Sequence, residues 1–129
     1  MDDFIRSHGL LLPLRCTASR PLPHVCVVHL SGELDMATAP LLAEYLREQT
    51  AARPSELVLD LGGVTLLGAA GLALIVTMLN NDGGIHGRLH LVGVTGNRAV
   101  ERVLRLTGLA SVLDVHENLQ AVLDALPRN

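Results

Sequence analysis

Short apolar runs alternate along the chain with stretches in which apolar residues recur every three or four positions. The short runs are rich in leucine and valine, which predicts β-strands at 10–18, 24–30, 57–61 and 89–94, and 112–115 could form a short edge strand. The helical spacing predicts helices at 39–50, 70–80, 97–106 and 119–126. This order predicts an α/β fold: one domain with a mixed, mostly parallel sheet of four to five strands packed against about four helices.

The segments between these elements allow turns, a helix cap and the domain boundaries to be predicted. Pro21 and Pro23 predict the turn between the first two strands, and Ser31–Asp35 is interpreted as a polar connection after the second. Thr38 is a suitable N-cap for the helix that follows it. The helix at 70–80 is apolar nearly all round, so we expect most of its faces to be covered. We expect residues 1–9 to be a flexible N-terminus, 10–126 to form the domain and 127–129 to be a tail.

Composition narrows the function classes. The 129 residues carry a net charge of −3, and the chain has no basic run and only two aromatic residues, Phe4 and Tyr45. Nucleic-acid binding is therefore not expected, because it usually needs a basic surface and often aromatic stacking. Apolar stretches are shorter than the roughly 20 residues of a spanning helix, and no secretory signal pattern is present, so we expect a cytoplasmic protein without direct membrane insertion.

The sequence offers little for cofactor or catalytic chemistry. Its six histidines and two cysteines have no metal-ligand spacing, and we expect neither a metal nor another cofactor. Gly68 and Gly71 lie between a strand and a helix, but they lack the further residues of a phosphate-binding loop, which favours tight packing over nucleotide binding. Neither Asp35 nor Asp60 has a histidine or nucleophile at a recognisable spacing, so an enzyme is not expected.

The positions of the two cysteines raise a separate hypothesis. If the first turn is centred near Pro21, Cys16 and Cys26 lie opposite each other on the core face of the hairpin. We interpret them as small buried apolar residues, with a strained and reducible cross-strand disulfide, and hence a redox switch, as the alternative.

Four segments in this order resemble a known family. SGELD (Ser31–Asp35), DLGGVTLLGAAGLALIV (Asp60–Val76), LVGV (Leu91–Val94) and VLRLTGLASVLDV (Val103–Val115) are similar to the STAS domain of bacterial anti-sigma factor antagonists, and the resemblance covers roughly residues 10–126. It implies a protein that binds an anti-sigma factor of the histidine-kinase-like ATPase type and so frees a sigma factor for transcription. In the usual cycle a serine at the start of the central helix is phosphorylated, and the added charge breaks the complex.

The chain departs from the family pattern at that serine. The family's Asp-Ser-Ser-Gly-Leu corresponds to Gly68–Leu72, so Ala70 stands at the phosphoacceptor position and Gly68 replaces the preceding acid. We therefore expect an antagonist that binds its partner without this switch. The expected partner surface consists of Ser31, Gly32, Glu33, Asp35, Thr38, Leu67, Gly68, Ala69, Ala70, Gly71 and Leu72. The alternatives are a STAS-type subunit of a membrane transport complex and a nucleotide-binding sensor domain; the oligomeric state is left open.

Overall fold

A computed structural model of the protein describes residues 3–7 and 10–127, with side chains from residue 13 onward. The strands are β1 (Asp3–Ser7), β2 (Leu10–Leu22), β3 (Val25–Leu34), β4 (Glu56–Leu67) and β5 (Arg88–Val92). The helices are α1 (Ala39–Gln49), α2 (Ala69–Leu79), α3 (Arg98–Leu106) and α4 (Leu119–Ala125), with a 3-10 turn at Leu109–Ser111. The predicted α/β class and the four helices are confirmed, each helix to within one residue at either end.

The strands form one mixed sheet in the order β1-β2-β3-β4-β5. The pairs β1–β2 and β2–β3 are antiparallel, whereas β3–β4 and β4–β5 are parallel. The sheet is therefore mixed as predicted, but its parallel and antiparallel pairings are equal in number within the described residues. The difference comes from β1, a strand at 3–7 within the N-terminal segment for which we expected flexibility. Residues 1–2, 8–9 and 128–129, which include parts of the predicted flexible N-terminus and tail, lie outside the described residues.

The predicted register of the β2–β3 hairpin is wrong, so Cys16 and Cys26 do not lie opposite each other. The strands turn at Pro23 and His24, and Cys16 pairs with Leu30 instead of Cys26. Cys26 lies four residues before Leu30 on β3, about 13 Å along the strand from the position opposite Cys16. This distance is too long for a disulfide. Both thiols are free and buried in the core, since a shift by an even number of residues leaves each on the predicted face. The redox bridge is excluded by this geometry.

Strands β3 and β4 run further than the sequence predicts. Ser31–Leu34 continues β3 instead of forming a connection, and β4 extends through Gly62 and Gly63 to Leu67. A Cβ on Gly63 would lie 2.6 Å from the Cβ of Ser31, so only glycine permits this approach of the two strands. The register shifts at this point, between His29 and Ser31. The longer strands bring the ends of β3 and β4 to the same edge of the sheet.

The two faces of the sheet are covered unequally. Helices α1, α2 and α3 cover one face, the front, and form the main core with side chains such as Leu42, Ile75 and Leu104. On the back face, the short helix α4 packs Val122, and Leu126 just after it, over a second apolar cluster: Val25, Val27, Val58 and Val92. Further along β3 and β4 the back face carries polar residues and has no helix over it in the described chain.

A buried hydrogen-bond chain lies beside this second cluster. His90, only 2% exposed, contacts Glu56 Oε1 through Nε2 at 2.8 Å and His116 Nε2 through Nδ1 at 3.3 Å. Because the Glu56 carboxylate only accepts, Nε2 of His90 donates to it, and in a neutral ring Nδ1 accepts from His116. Arg88 Nε lies 3.3 Å from the same carboxylate oxygen. Polar groups buried here are therefore paired within the chain.

Candidate functional site

The ends of β3 and β4 bring the two main motif segments together. In the parallel register Glu33 pairs with Leu66 and Leu34 with Leu67. The amide of Gly68 then donates a 2.9 Å hydrogen bond to the carbonyl of Leu34, so that α2 begins directly beside the end of β3. The two predicted surface segments, 31–38 and 67–72, therefore form one continuous edge.

The loop after β3 is held by its own polar groups. Asp35 Oδ1 accepts hydrogen bonds from the amides of Ala37 and Thr38, at 2.9 and 3.0 Å. The hydroxyl of Thr38 donates to the carbonyl of Glu33 at 2.9 Å and accepts from the amide of Asp35 at 3.0 Å. Thr38 occupies the N-cap position of α1 as predicted, but its side chain makes no capping bond and is fully buried. Asp35 and Thr38 therefore shape the loop and do not themselves offer a partner a large surface.

The two glycines at the start of α2 differ in how closely they are packed. A Cβ on Gly71 would lie 2.7 Å from Leu34 Cγ and 2.8 Å from Leu67 Cδ1, so glycine there allows the helix to pack against the sheet. At Gly68, the N-cap, the nearest atom to such a Cβ is 3.6 Å away, and no side chain caps the helix. The close packing agrees with the structural interpretation at Gly71, whereas Gly68 is not closely packed.

Not every residue predicted for the partner surface is accessible. Thr38, Leu67 and Gly71 are buried. Ser31 and Ala69 are exposed, and the others are half-buried: Gly32, Glu33, Asp35, Gly68, Ala70 and Leu72. The buried three support the edge from below, and the remaining eight are at least partly accessible.

Sequence reasoning missed the apolar side chains that stand out from this edge. Met36 is 83% exposed, Leu66 46% and Val76 36%, and Ala69 and Ala73 are also exposed, on the same helix as Val76. We call these five residues the apolar surface. Ala69, Ala73 and Val76 follow the i, i+4, i+7 spacing of one helix face, which is exposed. The rest of α2 is buried or half-buried, as expected for a helix that is apolar nearly all round. The adjacent leucines at 66 and 67 offered a clue, since neighbouring strand residues point to opposite faces.

The predicted absence of catalytic machinery can be compared with the geometry of the two aspartates. Asp35 is engaged by loop amides, and Asp60 accepts from the amide of Gly62 at 2.9 Å. Asp60 also contacts His29 Nδ1 at 2.8 Å, a partner 31 residues away that sequence spacing did not reveal. In the described part of the chain, no group of three or more His, Cys, Asp or Glu side chains could hold a metal ion. No helix within residues 3–7 and 10–127 combines the length and apolar character needed to cross a bilayer.

The cysteine chemistry also argues against a reactive thiol. Burial raises the pKa of the Cys26 thiol, an effect that the nearby Arg20 charge partly offsets. Its Sγ lies 3.8 Å from the carbonyl of Gln49 at the end of α1. A buried neutral thiol is a poor nucleophile, so Cys26 acts as part of the core.

Comparison with known proteins identifies the class. The family described as "Mlab, STAS domain" matches residues 18–124, and the chain belongs to this family. The crystal structure of an anti-sigma factor antagonist from Mycobacterium paratuberculosis superposes with a TM-score of 0.73 at 31% identity, covering 87% of this chain and 92% of that one. The predicted STAS fold is thereby confirmed.

Curated relatives add names within the family. The anti-sigma-F factor antagonist RsfA of Mycobacterium tuberculosis is 28% identical over 103 residues, 77% of each chain. RsfB, the anti-sigma-F factor antagonist of the same organism, is 41% identical over 51 residues, which is 40% of this chain and 42% of RsfB. The match thus spans less than half the length of RsfB. Proteins with these names are regulatory binding proteins and not enzymes.

Proposed function

We propose that the protein is an anti-sigma factor antagonist, which binds an anti-sigma factor and thereby frees a sigma factor for transcription. The observation that carries this proposal is the apolar surface at the joined ends of β3 and β4. Met36 and Leu66 are large apolar side chains that no other part of the described chain covers well. Large apolar side chains that are exposed near the joined ends of two strands favour a site of protein association. The names of RsfA and RsfB supply the class of partner.

The shape of the edge suits a closely approaching partner. Ala69, Ala70 and Gly68 present little side chain at the start of α2, so a partner backbone can come near the helix N-terminus. The larger side chains of Met36 and Leu66, on the loop after β3 and near the end of β4, can enter apolar depressions in the partner. We take the partner to be an anti-sigma factor of the histidine-kinase-like ATPase type, as the family resemblance implies, and we place the interaction in the bacterial cytoplasm.

Ala70 determines how this interaction is regulated. We propose that it occupies the position of the family's phosphoacceptor serine, on the first turn of α2 and half-buried. An alanine has no hydroxyl to accept a phosphoryl group, so the charge that would repel a partner cannot be added there. The nearest hydroxyl before it in sequence, on Thr65, is exposed on β4 outside this turn.

Reconstitution with purified components tests the proposal. The anti-sigma factor that co-purifies with the protein from its native cell is bound to its sigma factor, and the protein is then added with and without Mg-ATP. We expect release of the sigma factor in both conditions, measured by size-exclusion chromatography, and no phosphate on residues 68–71 by mass spectrometry. The Ala70→Ser variant is the matched control, and a kinase-type partner should label it. Failure to release the sigma factor, or stoichiometric phosphate on Thr65, would contradict the proposal.

A further inference from the structure

The chain turns back on itself after α3 and leaves a cleft between that helix and the returning segment. Gly108, two residues after α3, has a φ of 78°, which lies in the left-handed region and lets the chain reverse. The returning segment is fixed to the edge of β5, where the amide of Leu91 donates to the carbonyl of Asp114 at 2.8 Å and the amide of His116 donates to the carbonyl of Leu91 at 2.9 Å. Both walls of the cleft are therefore held by backbone hydrogen bonds.

The cleft has a volume of about 450 Å³, which lies in the range of small-molecule sites. Most of its lining is apolar and comes from the residues just after β5, from α3 and from the returning segment: Val94, Leu104, Ala110 and Val115. The first two are buried in the core. An apolar group that enters the cleft is therefore sheltered from water on several sides, which favours its binding.

Two side chains of opposite charge also line the cleft. Glu101 and Arg105 are four residues apart on α3, the spacing and the order in which a glutamate and an arginine commonly pair. Neither side chain has a hydrogen-bond or ion-pair partner within the described residues, so this pair is not formed. A carboxylate and a guanidinium are thus both available to a ligand that occupies the cleft.

We propose that this cleft binds an α-amino acid with an apolar side chain. The ammonium group of the ligand donates to the Glu101 carboxylate, and the carboxylate of the ligand accepts from the Arg105 guanidinium. Both charged groups of an amino acid are attached to the same carbon atom, so one molecule can bridge two charges that are neighbours on one helix. The planar guanidinium suits a carboxylate because it can donate two parallel hydrogen bonds. The site does not depend on the identity of the protein partner.

Titration with L-leucine followed by ¹⁵N–¹H NMR tests the site at about pH 6.5, where an α-amino group keeps its proton. We expect saturable shifts of the Val94, Ala110 and Val115 amides. N-acetyl-L-leucine lacks the ammonium group and L-leucinamide lacks the carboxylate. Each should bind roughly threefold more weakly than leucine, or weaker still, as the loss of one surface ion pair implies. Glycine, which keeps both charges and has no apolar side chain, should also bind more weakly than leucine.

Two variants separate the two charges. Glu101→Gln should weaken the binding of leucine and leucinamide roughly threefold or more and leave that of N-acetyl-leucine unchanged. Arg105→Gln should weaken the binding of leucine and N-acetyl-leucine by a similar factor and leave that of leucinamide unchanged. Glu44→Gln on α1 and Arg98→Gln at the start of α3 are controls, since both positions are exposed and neither lines the cleft. Both controls should bind leucine as the wild type does.

Several results would overturn the proposal. The first is the absence of saturable shifts with leucine. Equal binding of leucine and N-acetyl-leucine would indicate a site for carboxylates alone, and equal binding of leucine and glycine would show that the apolar lining has no role. Wild-type leucine affinity in a folded Glu101→Gln or Arg105→Gln variant would contradict the proposed contacts. The comparison of ligands in the wild type remains decisive if a variant does not fold.

Discussion

The two ends of strand β4 depart from the usual distribution of polar and apolar side chains in opposite directions. At its first residue, Glu56, a carboxylate that is only 12% exposed binds the buried ring of His90. At its far end Leu66 is 46% exposed, next to the start of α2. The first departure is explained within the chain, because each buried polar group has a hydrogen-bond partner; among the described residues no buried side-chain N or O atom lacks one. The second has no such explanation.

This difference separates a structural feature from a functional one. Burying polar groups is tolerated when they are paired, and the Glu56–His90–His116 chain joins β4 and β5 to the segment that precedes α4. An exposed apolar side chain needs no compensating interaction within the fold, and it remains available for a partner. The comparison therefore predicts that substitutions at the first end change stability and that substitutions at the second end change binding.

The largest expected effect is on stability at the Glu56 end. Glu56→Ala removes the acceptor of His90 Nε2–H and leaves a buried donor unsatisfied, which should lower the free energy of unfolding by about 2 kcal/mol. Chemical denaturation followed by circular dichroism measures this. Glu44→Ala, at an exposed position of α1, is the control and should change stability by less than about 0.5 kcal/mol. A loss at Glu56 no larger than at Glu44 would show that the buried chain has no structural role.

The next effect is on binding at the Leu66 end. The double variant Met36→Ser/Leu66→Ser should keep its stability within about 0.5 kcal/mol, since both side chains are exposed. It should bind the anti-sigma factor at least tenfold more weakly, about 1.4 kcal/mol, as measured by isothermal titration calorimetry. The control, Leu106→Ser/Val112→Ser, changes two side chains that are 70% and 60% exposed beyond this surface. Equal losses in both variants would mean that general hydrophobicity, and not this surface, governs binding.

The smallest effect is a gain in stability at the start of α2. Gly68 is the N-cap and no side chain caps the helix, while a Cβ there would have 3.6 Å to its nearest neighbour. Gly68→Ser should therefore raise the free energy of unfolding by a few tenths of a kcal/mol through a capping hydrogen bond, roughly the difference between these residues at N-caps. Thermal unfolding should show a small increase in Tm. A decrease would contradict this prediction and show that a side chain at Gly68 disturbs the start of α2.

Local sequence patterns predicted the elements better than the pairings between them. The helices follow from apolar spacing, which depends on residues within one turn of each other. The hairpin register was missed because Pro21 suggested an early turn, whereas β2 continues to Leu22 and pairs with Val25. The extension of β3 and β4 was missed because glycines in sequence indicate a break, and here Gly63 accommodates a close approach of two strands.

The candidate partner edge, too, could be predicted from local sequence only in part. The two motif segments that form the candidate partner edge were predicted, since their order in sequence carries the family resemblance. The exposure of Met36 and Leu66 depends on what the rest of the chain covers, which no local pattern states. The pairs His29–Asp60 and His90–Glu56 join residues 31 and 34 positions apart through the parallel register of the strands. Such contacts arise only when the strands are aligned.

The affinity of the Ala70→Asp variant for the anti-sigma factor tests the central claim most directly. Ala70 and Ala99 are both half-buried and both occupy the second residue of a helix, α2 and α3 respectively, so Ala99→Asp is a matched control. An acid at either helix N-terminus is compatible with folding. If the start of α2 is the binding surface, Ala70→Asp weakens binding at least tenfold, about 1.4 kcal/mol, and Ala99→Asp leaves it unchanged. Wild-type affinity in a folded Ala70→Asp variant would contradict the account and move the partner to another face of the molecule.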